Sequence, residues 1–250
     1  MVFPHGRSLH ELATVGALPD HQLMDAATLD WITSHPPQTA ADRPPIQPNE
    51  ILLLLPDEAW FTNPRQAEGL HGIRHGARAC VLAYLLATAY GLDRERTTAL
   101  CVAAAVHDCR RLDDRSDPGH GRRGADWLTA HADLVLTALG CAAQVPPGLR
   151  GEAARAIAAH NLPYDSFPPG LNAGYLKAPH LVDLLKAADC MDRYRLPLHR
   201  WWPDTGQLRV PVPRWLPAFA HGLVVRSERA HLDGASHHQA LTHALGALAR

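Results

Sequence analysis

Ala103-Ala104-Ala105-Val106-His107-Asp108-Cys109-Arg110-Arg111 is the stretch on which the reading of this chain turns. Its small apolar residues read as a buried helix, which ends at an imidazole beside a carboxylate and then passes into a charged loop. Burying both groups is costly unless something pairs with them. Both are also good ligands for a divalent cation. The question for the remaining sequence is what else reaches that point.

Working outward, Asp93 is placed to cap a helix over about 94–108, and a helix over 71–90 precedes it, stopped by Gly91. On the other side, residues 113–121 (Asp-Asp-Arg-Ser-Asp-Pro-Gly-His-Gly) form a turn-rich loop. Helices are expected over 122–139, 151–160 and 180–195, the last strongly apolar yet carrying Asp183, Asp189 and Asp192. After a proline-rich excursion over 197–217 with Trp201, Trp202 and Trp215, helices resume near 218 and from 234 onward. The only strand-like run, 51–55, is equally compatible with the start of a helix. With no alternation of strands and helices, the fold class is all-α.

Residues 1–48 read as an N-terminal extension and 49–250 as the main domain. Within the extension a short helix is expected over 20–34, where Leu23, Met24, Ala27, Leu29 and Ile32 give a helical stripe. Pro36-Pro37 and Pro44-Pro45 then break it into an extended connector. The extension is either a lid or partner contact or a passive strap, and the strap is preferred.

Composition bounds the class. The chain has 250 residues, 46% hydrophobic and 20% charged, with a formal net charge of −1. That is a globular profile with no nucleic-acid or membrane-binding surface. Its 17 histidines are an excess of the commonest metal-ligating side chain. The five cysteines are odd in number and lack CxxC spacing, so a reduced, cytoplasmic protein without a cysteine zinc site is expected. No export signal is read at the N-terminus, and the run at 51–55 is far too short to cross a bilayer.

Neighbours on a helix point roughly 100° apart, so a cation at His107-Asp108 sits between their two directions and takes its remaining ligands from other helices. His75, early in the preceding helix, and Asp189, acidic on a buried one, are the candidates. Two imidazoles and two carboxylates suit Mn, Fe, Mg, Co or Zn, with positions left for water.

This ordered set resembles the HD-domain metal-dependent phosphohydrolases, a family marked by a His, then a His-Asp pair, then a distant Asp, each on its own helix. The resemblance covers about residues 70–196. It implies an HD-type helical bundle with His75, His107, Asp108 and Asp189 as metal ligands. His75 with Arg78 matches the family's His-x-x-Arg. The run from His107 through Arg111 to Asp114, Asp117, His120 and Gly121 is similar to a subgroup of bacterial members, as is Asp-x-x-Asp-Arg-x-Arg at 189–195. Ala79 departs from the family's branched apolar residue. Asp192 rivals Asp189 as ligand at nearly the same helical face; Asp189 is preferred, with Asp192 pairing with Arg193 or Arg195.

Other residues carry two readings each. His71, one turn before His75, is either a ligand or, as preferred, a residue supporting the ligands. His120 either binds a second metal or a phosphate, or is a loop residue bonded to backbone. His160 either reaches the site or, slightly preferred, ends a helix. Arg110 and Arg111 either fork onto phosphate oxygens or pair with Asp113, Asp114 or Asp117. Trp201 and Trp202 either border a pocket or fill core, the latter preferred. His71, Asp114, Asp117 and His160 together are candidates for supporting the ligands or holding a second metal.

The expectation that follows is metal-assisted hydrolysis of a phosphate ester, of a nucleotide or another small phosphorylated metabolite, with Asp108, Arg111 and His120 in catalytic roles. The alternatives are an HD-type di-iron oxygenase, using His120 and His160 as extra ligands, and a non-catalytic nucleotide-binding module.

Overall fold

The computed structural model describes residues 6–38 and 47–248. In order, the helices are α1 (Leu9–Thr14), α2 (Ala26–Thr33), α3 (Pro64–Glu68), α4 (Ile73–Ala89), α5 (Arg94–Val106), α6 (His120–Ala138), α7 (Pro147–Ala159), α8 (Pro169–Lys177), α9 (His180–Asp192), α10 (Leu216–Leu232) and α11 (His237–Leu248). No strand occurs among the described residues, so the all-α class is as expected.

The bundle is organised around α5. Its residues from Thr98 to Val106 are all buried, and its small side chains let α4, α7 and α9 pack against it. Asp93 caps it by accepting from Arg96 N–H, which satisfies one of the free donors of the first turn. Gly91 ends the preceding helix in the left-handed region at φ 65°, where a side chain would be strained. At Gly76 a Cβ would stand 2.3 Å from the Ala105 carbonyl oxygen, so only glycine lets α4 approach α5 this closely. That contact brings His75 to His107.

Several boundaries differ from expectation. Residues 51–55 form neither strand nor helix. Ile51 and Leu54 are buried, and the Leu52 carbonyl accepts from Cys80 Sγ, but no second strand lies alongside. The helix expected over 20–34 begins only at Ala26, where Asp25 caps it. Residues before it are held extended by the loop after α5: Gln22 N–H donates to Asp114 Oδ2 at 2.8 Å and Asp114 N–H to the Asp20 carbonyl at 2.8 Å. Helix α1, with its Ser8–Glu11 capping box, and helices α3 and α8 had no counterpart in the sequence reading. Helix α9 stops at Asp192, and Arg193–Arg195 form a 3-10 turn. Pro36-Pro37 follow α2 in irregular backbone, whereas Pro44-Pro45 lie outside the described residues.

The extension packs down on the bundle and also borders the main cavity. Leu9, Met24, Leu29 and Ile32 build a second apolar cluster with Leu70, α2 packs on α10, and residues 13–22 wall one side of the main cavity.

Candidate metal centre

The C-terminal end of α5, the first turn of α4, the last turn of α9, the start of α6 and the end of α7 meet at one point. His75, His107, Asp108 and Asp189 are brought together there. Asp189 Oδ1 lies 3.4 Å from His75 Nε2 and 3.7 Å from His107 Nε2. His71, His120 and His160 join them around Asp108. Its Oδ1 is 3.1 Å from His120 Nε2 and 3.4 Å from His160 Nε2, and its Oδ2 is 2.9 Å from His71 Nδ1.

The far side of each ring fixes which nitrogen is bare. His75 Nδ1–H donates to Asp192 Oδ2 at 2.8 Å, and His107 Nδ1–H to the Ala104 carbonyl at 2.8 Å. His160 Nδ1–H donates to the Ile157 carbonyl at 2.7 Å, and His120 Nδ1–H to the Asp117 carbonyl. A neutral imidazole has one donor and one acceptor nitrogen, so all four Nε2 atoms carry lone pairs. They nevertheless face each other, His75 to His107 at 3.0 Å and His120 to His160 at 2.9 Å. Arg195 Nη2 donates to His71 Nδ1 at 2.9 Å, which leaves that nitrogen also a lone pair against the Asp108 carboxylate. Asp108 Oδ1 is buried and makes no hydrogen bond. Lone pairs pressed together in a dry space repel unless a positive charge stands between them. The donor set therefore fits a metal ion: three overlapping groups (His75, His107 and Asp189; His107, Asp108 and His160; His71, His75 and Asp108) each have their ligand atoms within 4.8 Å.

The electrostatics point the same way. Burial would raise the Asp108 pKa, but His107, His120 and Arg111 hold it well below the usual carboxylate range. Burial likewise acts against ionisation of Asp189, and His107 and His75 overcome it. Burial, with the guanidiniums of Arg111 and Arg195, pushes His71 down to about 3, and burial brings His160 down to about 4. Both rings are therefore neutral at neutral pH and free to ligate. His107 runs the other way: burial opposes its charge, but Asp108 and Asp189 outweigh that and favour a cation at this ring.

Supporting residues hold the ligands in place, as metal sites require. Asp192, wholly buried, is the partner of His75 at Nδ1, the ring nitrogen opposite the one that meets His107. It also accepts from Arg78 Nε at 2.7 Å, with Arg195 at 3.6 Å; Arg193, expected as a partner, does not reach it. Arg78 continues to Glu228 at 2.5 Å, and Glu228 to Arg74 at 2.9 Å, a buried chain of alternating charge. Lys186 Nζ donates to the His160 carbonyl at 3.0 Å and to that of Leu162 at 2.5 Å, closing the end of α7. At Gly121 a Cβ would meet Asn161 Oδ1 at 2.5 Å and the Ile157 carbonyl at 2.8 Å, so glycine is what lets α6 bring His120 beside His160.

Other residues singled out in the sequence take different places around the cluster. Asp114 lines the cavity, but its carboxylate is taken by Gln22 N–H and faces His21 at 3.4 Å. The Asp117 carboxylate binds Arg123 and Leu112 N–H, and only its carbonyl touches the centre. Arg110 points away, donating to the Trp60 carbonyl and lying over Trp127. Arg111 pairs with none of Asp113, Asp114 or Asp117 through a carboxylate; its Nη1 lies 3.8 Å from Asp108 Oδ2.

The cluster opens into a cavity of about 560 Å³ lined by Arg111, Arg115, Arg193, Arg195 and Arg200, with Trp201, Leu18 and Asn161. Arg193, Arg200 and the wall from residues 13–22 were not read from the sequence as site residues. Arg193 could have been found there, one helical turn beyond Asp189. Comparison of the chain with models of protein families, with curated proteins and with solved structures finds no match in any of the three.

Proposed function

We propose that the chain is a metal-dependent phosphohydrolase holding two divalent cations. One is held by His75, His107, Asp108 and Asp189, the other by Asp108, His120 and His160, with His71 beside the shared carboxylate. The observation that carries this reading is the pair of facing bare imidazole nitrogens on either side of Asp108, opening into an arginine-lined cavity. Divalent cations there supply Lewis acidity and a water of lowered pKa. Arg111 neutralises charge on the phosphoryl oxygens, since a guanidinium fork matches their geometry. Arg195 fixes His71, and Asp192 fixes His75. His160 has its one N–H committed to the Ile157 carbonyl. The helical bundle with its His, His-Asp and Asp order is consistent with an HD-type protein, which also supports this reading.

The test is metal analysis of the purified chain together with phosphate release from a set of nucleotides. Two cations per chain and release abolished by Asp108→Ala are expected. No release from any phosphate ester by the metal-loaded chain refutes it. The His120–His160 pair equally meets the ligand requirement of a di-iron oxygenase. Two irons with oxygen consumption, and no phosphate release, would favour that reading.

A further inference from the structure

The imidazoles at the centre are not all held by the same means. His75 is fixed at its ring by Asp192 from another helix, and His107 by the Ala104 carbonyl of buried α5. His160 stands one residue past the end of α7, where no further turn continues the backbone. Its ring donates to the Ile157 carbonyl at 2.7 Å, but that bond ties it only to its own helix end. The last four carbonyls of a helix have no intrahelical donor, so a side chain carried there keeps its place only if something outside the helix binds the backbone.

Lys186 of α9 does so. Its Nζ donates to the His160 carbonyl at 3.0 Å and to the Leu162 carbonyl at 2.5 Å, and neither oxygen accepts from a backbone N–H among the described residues. A cation at this place also meets the negative end of the α7 dipole. The ammonium is set in turn by aromatic rings, 4.8 Å from the centroid of Tyr164 and 5.7 Å from that of Phe167. The Tyr164 hydroxyl donates to Asp183 Oδ1 at 2.8 Å and that of Tyr175 to the same oxygen at 3.1 Å. Arg209, from the proline-rich excursion, lies over Tyr164 at 4.2 Å and donates to the Tyr175 hydroxyl at 3.0 Å. Lys186 precedes Asp189 by three residues, which puts the two on one face of α9. That helix therefore reaches the centre twice, through the Asp189 carboxylate beside His75 and His107 and through the ammonium that holds the His160 backbone. The bonds that fix His75 and His107 pass through neither Lys186 nor its rings.

We infer that Lys186 is a positioning residue for His160, and that through it α9 sets the affinity for the second cation separately from that for the first. The statement about the cation rests on the two-cation reading above; the positioning of His160 stands by itself.

The experiment is calorimetric titration of the full, metal-stripped chain with cobalt(II), alongside amide hydrogen exchange of the metal-free chain. Lys186→Met keeps an apolar stem between Tyr164 and Phe167. In this variant the second cation should bind about tenfold more weakly, the lower end of what losing a ligand's support costs, and the first should bind as before. Without metal, the His160 and Leu162 amides, which donate to the Ile157 and Ala159 carbonyls, should exchange about tenfold faster while those of α5 do not change. Lys186→Gln, which keeps a shorter N–H donor, gives the same comparison if the methionine variant does not fold. Equal weakening of both cations, or exchange at His160 and Leu162 as slow as in the unsubstituted chain, overturns the inference. One cation per unsubstituted chain sinks the two-cation reading, and the exchange then decides the positioning role alone. Two cations whose affinities neither substitution changes sink the inference and leave that reading standing.

Discussion

Asp192 offers the sharpest perturbation, because the structure gives it a structural and a supporting role at once. Its side chain is fully buried and accepts from His75 and Arg78, with Arg195 at 3.6 Å. Asp192→Ala leaves Arg78, itself 1% exposed, with only Glu228 and Ser227. Removing one partner of a buried ion pair costs about 3–5 kcal/mol. For a chain of this size that lowers the melting temperature by roughly 6–20 °C, at about 2–4 °C per kcal/mol. Asp192→Asn keeps the shape and a hydrogen-bonding oxygen, so it should cost less while weakening metal binding about 10–100-fold, as loss of a ligand's supporting carboxylate does. There is also a pH signature. Burial would raise the Asp192 pKa, but Arg78 and His75 hold it lowered. A carboxylate with a depressed folded pKa contributes stability that is full above its unfolded value near 4 and is lost as pH falls through the folded one. The acid limb of stability below about pH 4 should therefore flatten in Asp192→Asn. Calorimetric melting from neutral to acid pH and a competitive metal titration read both effects. A melting temperature of Asp192→Ala within 2 °C of the unsubstituted chain, or metal loss as complete in Asp192→Asn as in Asp189→Asn, would refute the reasoning by making Asp192 a ligand or a bystander.

Other perturbations separate the remaining parts. Asp108→Ala should remove bound metal and activity together, and metal analysis showing full occupancy would contradict the shared-carboxylate geometry. Gly76→Ala puts a Cβ at 2.3 Å from the Ala105 carbonyl, so α4 and α5 must separate; it should lower stability by about 1–3 kcal/mol and weaken metal binding in the same variant, read by urea unfolding and metal titration. In the metal-free chain, burial depresses His160 to about 4. Its contribution to stability is complete above about pH 6.5 and is lost as pH falls toward 4. His160→Ala should remove up to about 3 kcal/mol of that loss, and identical urea midpoints against pH for the two chains would count against the neutral, buried ring.

Much of this was legible in the sequence because the signals were local. Asp93 ahead of Arg96 and Gly91 after Tyr90 fix the turn between α4 and α5 through short-range bonding, and His107-Asp108 marks the helix end by the cost of burying it. What could not be read depended on partners distant in sequence. Whether His120 and His160 face each other depends on Gly121 meeting α7, and the choice between Asp189 and Asp192 rests on Arg78, which lies on another helix. Residues 51–55 have strand composition, but a strand needs a neighbour, and the bundle supplies none. Helix α1 is under two turns long with its apolar residues few, so no periodicity could reveal it; it packs on α2.

Residues 13–22 wall the cavity and α2 rests on α10, where the Ile32 carbonyl meets His221 Nε2 at 3.0 Å. A ribosome therefore delivers this wall first, yet its seat emerges only after nearly two hundred further residues. Until α10 has been synthesised, Leu29 and Ile32 have no seat on it, and closing so long a loop is among the slow events of folding. The candidate ligands all lie between residues 71 and 189, so the helices that carry them can assemble while the front of the cavity still stands open.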